Sequence, residues 1–322
     1  MNYSDNKIFI SLVVLTYNRP SLLKNCLESI KNLESGGFPF EVIVIDDGSK
    51  FDNSQIVNEF NQNLKIRCYK KIHQGVAAAR NCGVKLAHGN FISFIADDYC
   101  LPKNFLIDVF KFFDEQNDAQ VITHNILPCG PSIFKYVQRL YFHLALWQSI
   151  ENFDTTLGAL KSYSLPPSRG AVFRKEVFQE VGLFNEYLLT GEDGEFGIRM
   201  SSRGIPVYFF PNKHIEHWEQ KNLWGYLGQR MRYGASHFKA LSTTNNDSEL
   251  HKLSFFRIFV LFFGRKNFIW MKLAWEINRG IQYLLLSPFI VLFLLFFYWG
   301  FYKESKQNSI SYRNLPRFLI EN

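Results

Sequence analysis

A chain of 322 residues holds one large domain, or one domain with an appendage. Its formal net charge of +7, from 36 Lys and Arg against 29 Asp and Glu, suits an anionic membrane surface or an anionic lipid-linked acceptor, and no basic run is dense enough to make nucleic acid a partner. The five cysteines, Cys26, Cys68, Cys82, Cys100 and Cys129, are scattered and odd in number, which excludes a metal knuckle or redox pair and predicts a reducing compartment.

The opening Met-Asn-Tyr-Ser-Asp-Asn is polar and acidic, so no signal peptide is expected. Ile8–Leu15 is a continuous apolar run, which predicts a strand buried on both faces. It leads into Thr16-Tyr17-Asn18-Arg19-Pro20, and Pro20 opens a helix with apolar residues at Leu22, Leu23, Cys26, Leu27 and Ile30. Glu41–Ile45 reads as a second strand, ended by Asp46-Asp47-Gly48-Ser49. Val76–Ala87 is an alanine-rich helix stopping near Gly89, Phe91–Ile95 is another buried strand, and Pro102 starts another helix. This alternation predicts a mostly parallel α/β sheet. Ligands of such a sheet sit beyond the carboxyl ends of its strands. Thr16, Asp46-Asp47 and Asp97-Asp98 fall at three of those ends. Any one cluster would serve as a turn or a helix cap; three on one edge point to a site.

Pro128–Pro167 is irregular and aromatic, an insertion suited to shaping a pocket. A second block follows: a strand at Ala171–Phe173, a helix from Lys175, the acidic turn Gly191-Glu192-Asp193, a helix through Met200 and a strand at Pro206–Phe210. Ser242–Ser248 is polar and reads as a linker, which divides the chain into a domain at residues 1–240 and a helical, membrane-associated region at 241–322. Phe255–Phe263, with Arg257 inside it, suits an interfacial helix. Ile281–Tyr302 carries no charged residue and has the length, roughly 20 residues, that crosses a bilayer as a helix. Pro288 would kink that helix or turn it into a re-entrant hairpin. Basic residues flank it on both sides, so charge does not set its orientation.

The segments VVLTYNRP, VIVIDDGS and HQGVAAARNCGVKLAHGNFISFIADDYCLP, in this order and spacing, resemble the nucleotide-binding half of the family-2 inverting glycosyltransferases. SRGAVFRKEVFQEVGLFNEYLLTGEDGEFGIRMSSRGIPVYFFPNKHIEHW resembles their acceptor half, and together these cover roughly residues 7 to 235. The resemblance implies the α/β, Rossmann-like GT-A fold. It implies transfer of a sugar from a nucleotide-diphosphate donor, a UDP-sugar, to a glycan or lipid-linked acceptor at the cytoplasmic face of the membrane. Residue by residue, it places Thr16, Tyr17 and Arg19 beside the nucleotide and Asp47 where a carboxylate accepts from the uracil ring. Gly75, Arg80 and Asn81 fall in the stretch that closes over the nucleotide. Asp97 and Asp98 match the metal-binding acidic motif, with Asp98 as the metal ligand and Asp97 on the donor side. His217 matches a histidine near the diphosphate and metal, and Asp193 the general base. Ala96 stands where the family often has a third acidic residue.

Elementary chemistry agrees with these roles. A divalent cation stabilises the negative charge that grows on a departing diphosphate. Hard oxygen ligands suit Mg²⁺ or Mn²⁺, which need only one or two protein carboxylates besides phosphate. A sugar hydroxyl needs a base as it attacks, and direct displacement needs only one. Each residue also has a plainer reading: Asp193 facing a helix dipole, Asp46 shaping a turn, Arg80 pairing with an acid, His217 on the surface, and Trp218 and Trp224 in ordinary packing. Gln229-Arg230-Met231-Arg232-Tyr233 resembles the Gln-x-x-Arg-Trp motif of processive polysaccharide synthases, with Tyr for Trp. A processive synthase and a nucleotide-binding scaffold without catalysis are therefore the alternatives. A dinucleotide oxidoreductase is disfavoured, because no Gly-x-Gly-x-x-Gly follows the first strand.

Overall fold

The computed structural model describes residues 9–132, 134–140, 159–163, 167, 170–188, 190–218, 222–244, 254–255, 271–272, 274–275 and 279–307. By packing, the chain forms two compact units. One comprises Met1–Gly130 and Ser149–Glu219, the other Pro131–Gln148 and Gln220–Asn322.

The first unit is built on a nine-stranded mixed sheet. In chain order the strands are β1 Ile10–Thr16, β2 Phe40–Asp46, β3 Ile66–Lys70, β4 Phe91–Ala96, β5 Tyr99–Cys100, β6 Val121–Cys129, β7 Leu160–Ser162, β8 Val172–Arg174 and β9 Val207–Trp218. Their spatial order is β3-β2-β1-β4-β8-β6-β9-β5, with β7 on β9. β1 lies between β2 and β4, parallel to both. A strand in that position is covered on both faces, and its sequence ISLVVLT is apolar on both. The chain winds from β1 out to β3 and returns to β4 on the other side of β1. That reversal opens a crevice at the carboxyl ends of β1 and β4.

Helix α1, Pro20–Lys31, begins with proline at its first position and buries Leu23, Cys26, Leu27 and Ile30 on one stripe. Helices α2 (Ser54–Asn58), α3 (Val76–Leu86) and α4 (Phe105–Glu115) follow. α4 buries Phe105, Leu106, Val109, Phe110, Phe112 and Phe113, which join β1, β2 and α1 in one core. α5 (Glu176–Glu180) and α6 (Glu192–Ser202) complete this unit.

Three elements depart from the sequence reading. The strand placed at Pro206–Phe210 runs on to Trp218, pairing in parallel with β6 across a register shift at His124 and Asn125. The polar His214-Ile215-Glu216-His217-Trp218 stretch is therefore sheet, with Ile215 buried between exposed neighbours. Pro128 and Cys129 belong to β6, and Leu160–Ser162 forms β7, so the supposed irregular insertion contains strand at its start and near its end. Residues 141–158 lie outside those described.

The second unit is helical. α7 spans Leu223–Thr244 and α8 spans Gly280–Gln307. Residues 242–244 of the supposed linker belong to α7, and 245–248, with most of Phe255–Phe263, lie outside the described residues. α8 continues through Pro288, so the chain makes no hairpin turn there. Tyr226, Leu227 and Phe238 of α7 share a core with Tyr283, Ile290, Phe293, Leu294, Tyr298 and Phe301 of α8. Among the described residues, α8 is the one helix long and apolar enough to cross a membrane.

Candidate active site

The crevice beyond β1 and β4 gathers the first group of charged residues. Thr16 ends β1 and its hydroxyl donates to Asp97 Oδ2 at 2.8 Å. Asp97 follows β4 and is held in register by its own N–H, which donates to the Leu15 carbonyl. Arg19, in the turn before α1, reaches over the acidic pair. It lies 2.5 Å from Asp97 Oδ1 and 2.7 Å from Asp98 Oδ2. His217, near the end of β9, brings Nε2 to 3.4 Å from Asp98 Oδ2. The long β9 explains this placement, because Tyr99 pairs with His217 across β5 and β9 and the Trp218 N–H donates to the Asp98 carbonyl.

The two neighbouring carboxyls are driven apart in acidity. Burial, reinforced by the Asp98 charge, outweighs Arg19 and the Thr16 hydrogen bond and raises Asp97 to about 6. Burial also acts upward on Asp98, but His217 and Arg19 together override it and hold that carboxyl below the ordinary range. Asp98 is thus an anion wherever the protein is folded at ordinary pH.

A second group sits at the end of β2. Asp46 is the turn former. It accepts from the Ser49 N–H at 2.7 Å and from Asn53 Nδ2 at 3.0 Å. Asp47 faces away from that turn. Its Oδ1 accepts from Lys71 Nζ at 2.7 Å and the Gln74 N–H at 3.1 Å, and its Oδ2 from the Gly75 N–H at 2.9 Å, with His73 Nδ1 at 2.8 Å. Gly48 is required here: its φ is +85°, and a Cβ would stand 2.7 Å from the His73 backbone nitrogen. The His73 ring stacks on Tyr17 at 4.1 Å between centroids, and the Asp47 N–H donates to the Thr16 carbonyl. The first and second groups therefore share one edge.

Arg80 and Asn81 lie on α3, capped at its start by Gly75, and point elsewhere. Arg80 Nη1 donates to Glu192 Oε1 at 2.6 Å, with its guanidinium over the Phe94 and Phe184 rings. Asn81 Nδ2 donates to the Phe184 carbonyl at 2.9 Å and to Glu186 Oε1 at 2.7 Å, and its Oδ1 accepts from the Phe184 N–H. Arg80 thus joins α3 to the start of α6, and Asn81 joins it to the segment that leads into α6. Glu192 is buried, and burial, with Asp193 beside it, raises its carboxyl to about 7 against the pull of Arg80. Asp193 is half-buried in the first turn of α6, and its Oδ1 accepts from the Gly194 N–H at 2.9 Å.

The residues present fit a divalent cation in one respect. Asp98 Oδ1 is buried and takes no hydrogen bond among the described residues, leaving a hard anionic oxygen on the carboxylate whose Oδ2 lies near the His217 imidazole. Among the described residues no three His, Cys, Asp or Glu side chains converge as a ready-made cage.

Solved structures of similar shape show the fold. The mannosyltransferase PcManGT from Pyrobaculum calidifontis, in complex with GDP-Man and Mn²⁺, superposes with a TM-score of 0.61 at 14% identity, over 95% of this chain and 88% of that one. S. aureus TarS 1–349 with UDP-GlcNAc gives 0.52 at 16%, over 95% and 92%. The fold is GT-A. Residues 11–182, just over half of the chain, match the family described as glycosyl transferase family 2, and the chain belongs to that family. The chondroitin synthase of Pasteurella multocida is 27% identical over 233 residues, which is 62% of this chain and 24% of the synthase. The chain spans less than a third of the length of the first curated relatives it matches.

Lys71, His73 and Glu192 escaped the sequence reading although all three contact residues it singled out. His73 and Glu192 stood inside the motif segments, and a polar residue next to an assigned one was the available signal. Lys71, the residue after β3, offered none, because β3 itself was not recognised.

Proposed function

We propose that the chain transfers a sugar from a UDP-sugar to a glycan or lipid-linked acceptor by single displacement, inverting the anomeric carbon. The observation that carries this reading is the Thr16–Asp97–Arg19–Asp98–His217 group at the carboxyl edge of β1 and β4. It combines buried anionic oxygen with a half-exposed guanidinium, as a metal-bound diphosphate requires. Tyr17 and Asp47 take the base. The four contacts on Asp47 include one from His73, whose side chain is half exposed, and His73 is the partner that yields when the uracil N3–H arrives. Gly75, Arg80 and Asn81 close the nucleotide side, the last two by fixing the wall between α3 and α6.

Asp98 and His217 would hold Mg²⁺ or Mn²⁺, which supplies Lewis-acid stabilisation of the departing diphosphate. The structures of PcManGT with GDP-Man and Mn²⁺ and of TarS with UDP-GlcNAc support a nucleotide-sugar donor and a divalent ion. Asp97 orients Thr16 and Arg19, and Arg19 adds positive charge at the diphosphate. Asp193 takes the proton of the acceptor hydroxyl as that oxygen attacks the face opposite the leaving group. The enzyme works at the cytoplasmic face of the membrane, with α8 as the anchor. Addition of one or a few sugars is favoured over processive synthesis, because a channel needs several membrane helices and the described residues offer one.

Calorimetric titration with UDP tests the assignment of Asp98. The wild type should bind more tightly with Mn²⁺ than with EDTA, and Asp98→Asn should lose that increment. Equal binding by wild type and variant in Mn²⁺ would remove Asp98 from the metal site.

A further inference from the structure

The second unit divides α8 into two unlike halves. In the first, Ile281, Leu284, Leu285 and Phe289 are exposed, at 70, 53, 73 and 36%. With exposed Pro288 they follow the spacing i, i+3, i+4, i+7, i+8, which is one face of a helix. Exposed Met271, Lys272, Trp275 and Arg279 precede that face in the chain. From Ile290 to Tyr298, all described, no residue of α8 is exposed, and the exposed positions that follow are Trp299, Lys303 and Lys306.

The second half is covered by α7. Tyr226 stacks on Phe293, Arg230 lies over Phe293, Phe238 meets Phe301, and Lys239 Nζ is 3.1 Å from Glu304 Oε1. Both numberings rise together, so the helices run parallel. They approach backbone to backbone: a Cβ on Gly234 would fall on the Phe297 carbonyl, and one on Gly300 on the Met231 carbonyl. The pair is therefore fixed in this register, and α7 lies at the same level as residues 293–304.

This register conflicts with a full span. If Ile281–Tyr302 crossed the bilayer, its midpoint would fall near Leu292. Arg230, which lies over Phe293, would then sit near the middle of the hydrocarbon, and Arg232 in its far half. Arg232 is exposed, and a charged side chain in hydrocarbon is costly. The exposed apolar face avoids that cost. Ile281 to Phe289 rises about 12 Å, within the roughly 15 Å of one leaflet, half of the hydrocarbon core.

We propose that the second unit docks on an anionic lipid surface through Ile281, Leu284, Leu285 and Phe289, and enters one leaflet without crossing. The occupant is lipid rather than a protein because the face combines aliphatic and aromatic side chains with an exposed Trp and basic residues just before it in the chain. That composition suits the boundary between acyl chains and negatively charged headgroups. The inference rests on the reading of α8 as the membrane anchor and replaces a span by a one-sided insertion.

Two experiments on the full chain test it. In the first, flotation with phosphatidylcholine vesicles containing phosphatidylglycerol measures partition. The double variant Leu284→Glu/Leu285→Glu should fall about a hundredfold, the loss expected when two leucines no longer enter an apolar phase, with circular dichroism unchanged. Vesicles of phosphatidylcholine alone should bind the wild type more weakly. In the second, a membrane-impermeant maleimide is applied to intact and lysed cells expressing Lys303→Cys, and mass spectrometry locates the label. Position 303 and the exposed native Cys100 should label from the same side. Labelling from opposite sides, or a double variant that floats as well as the wild type, would overturn the one-leaflet insertion and leave a membrane anchor standing. A wild type that binds no vesicle and is soluble without detergent would overturn both readings.

Discussion

Replacing Arg80 with Met tests whether the bond between α3 and α6 holds the site together. Met keeps the aliphatic stem that packs on Phe94 and Phe184 and removes the guanidinium 2.6 Å from Glu192 Oε1. Both side chains are nearly buried, 13 and 6% exposed, so Glu192 is left as an uncompensated buried carboxyl. Breaking one side of such a pair costs about 3–5 kcal/mol. The pH dependence identifies the cause. Burial already raises Glu192 to about 7 with Arg80 in place. Without Arg80 it rises further, so the folded variant holds a proton that the unfolded chain has released. A raised carboxyl loses stability as pH rises toward its folded value. The wild type stops losing near 7, whereas the variant continues by about 1.4 kcal/mol per pH unit. The deficit of the variant should therefore be larger at about pH 8.5 than at about pH 6, by roughly 1–2 kcal/mol. Pulse hydrogen exchange of β1 and β4 peptides along a urea titration reports the first unit alone. A deficit below about 1 kcal/mol, or one equal at both pH values, would refute the reasoning.

Asp193→Asn should keep UDP binding and lose transfer by about a hundredfold or more; normal transfer at saturating donor would remove Asp193 from the base role. His124 is buried, with Nδ1 2.9 Å from the Gly170 carbonyl, and burial lowers its pKa to about 4. A depressed value contributes stability that is complete above the ordinary 6.5 and is lost as pH falls through 4, at most about 3 kcal/mol. His124→Gln, which can still donate to Gly170, should unfold at a lower pH than the wild type, and an unchanged acid midpoint would contradict this.

The left half of the sheet was legible because burial on both faces writes itself as uninterrupted apolar sequence. β1, β2 and β4 are such strands, and Thr16, Asp46-Asp47 and Asp97-Asp98 mark their ends at the candidate site. β3 was not legible: Ile66-Arg67-Cys68-Tyr69-Lys70 is a half-exposed edge strand, and its Arg67 pairs with Glu41 rather than with solvent. β9 was cut short because Pro211, Asn212 and Lys213 interrupt the apolar pattern where the register shifts against β6. That lost extension is what carries His217 to Asp98. Arg19 was read as a nucleotide contact, and its bridge to Asp97 and Asp98 depends on the turn geometry after β1, which no local pattern encodes. The Lys239–Glu304 pair and the facing Gly234 and Gly300 couple positions more than sixty residues apart, beyond the reach of periodicity.

The central claim is direct displacement on a nucleotide-bound sugar, with one base and no covalent intermediate on the protein. Proton NMR of the glycoside formed from α-linked UDP-sugars, read at the coupling of its new anomeric proton, tests it. Direct displacement gives a β-linked product from an α-linked donor. An α-linked product would contradict it and would require two displacements or a front-face mechanism.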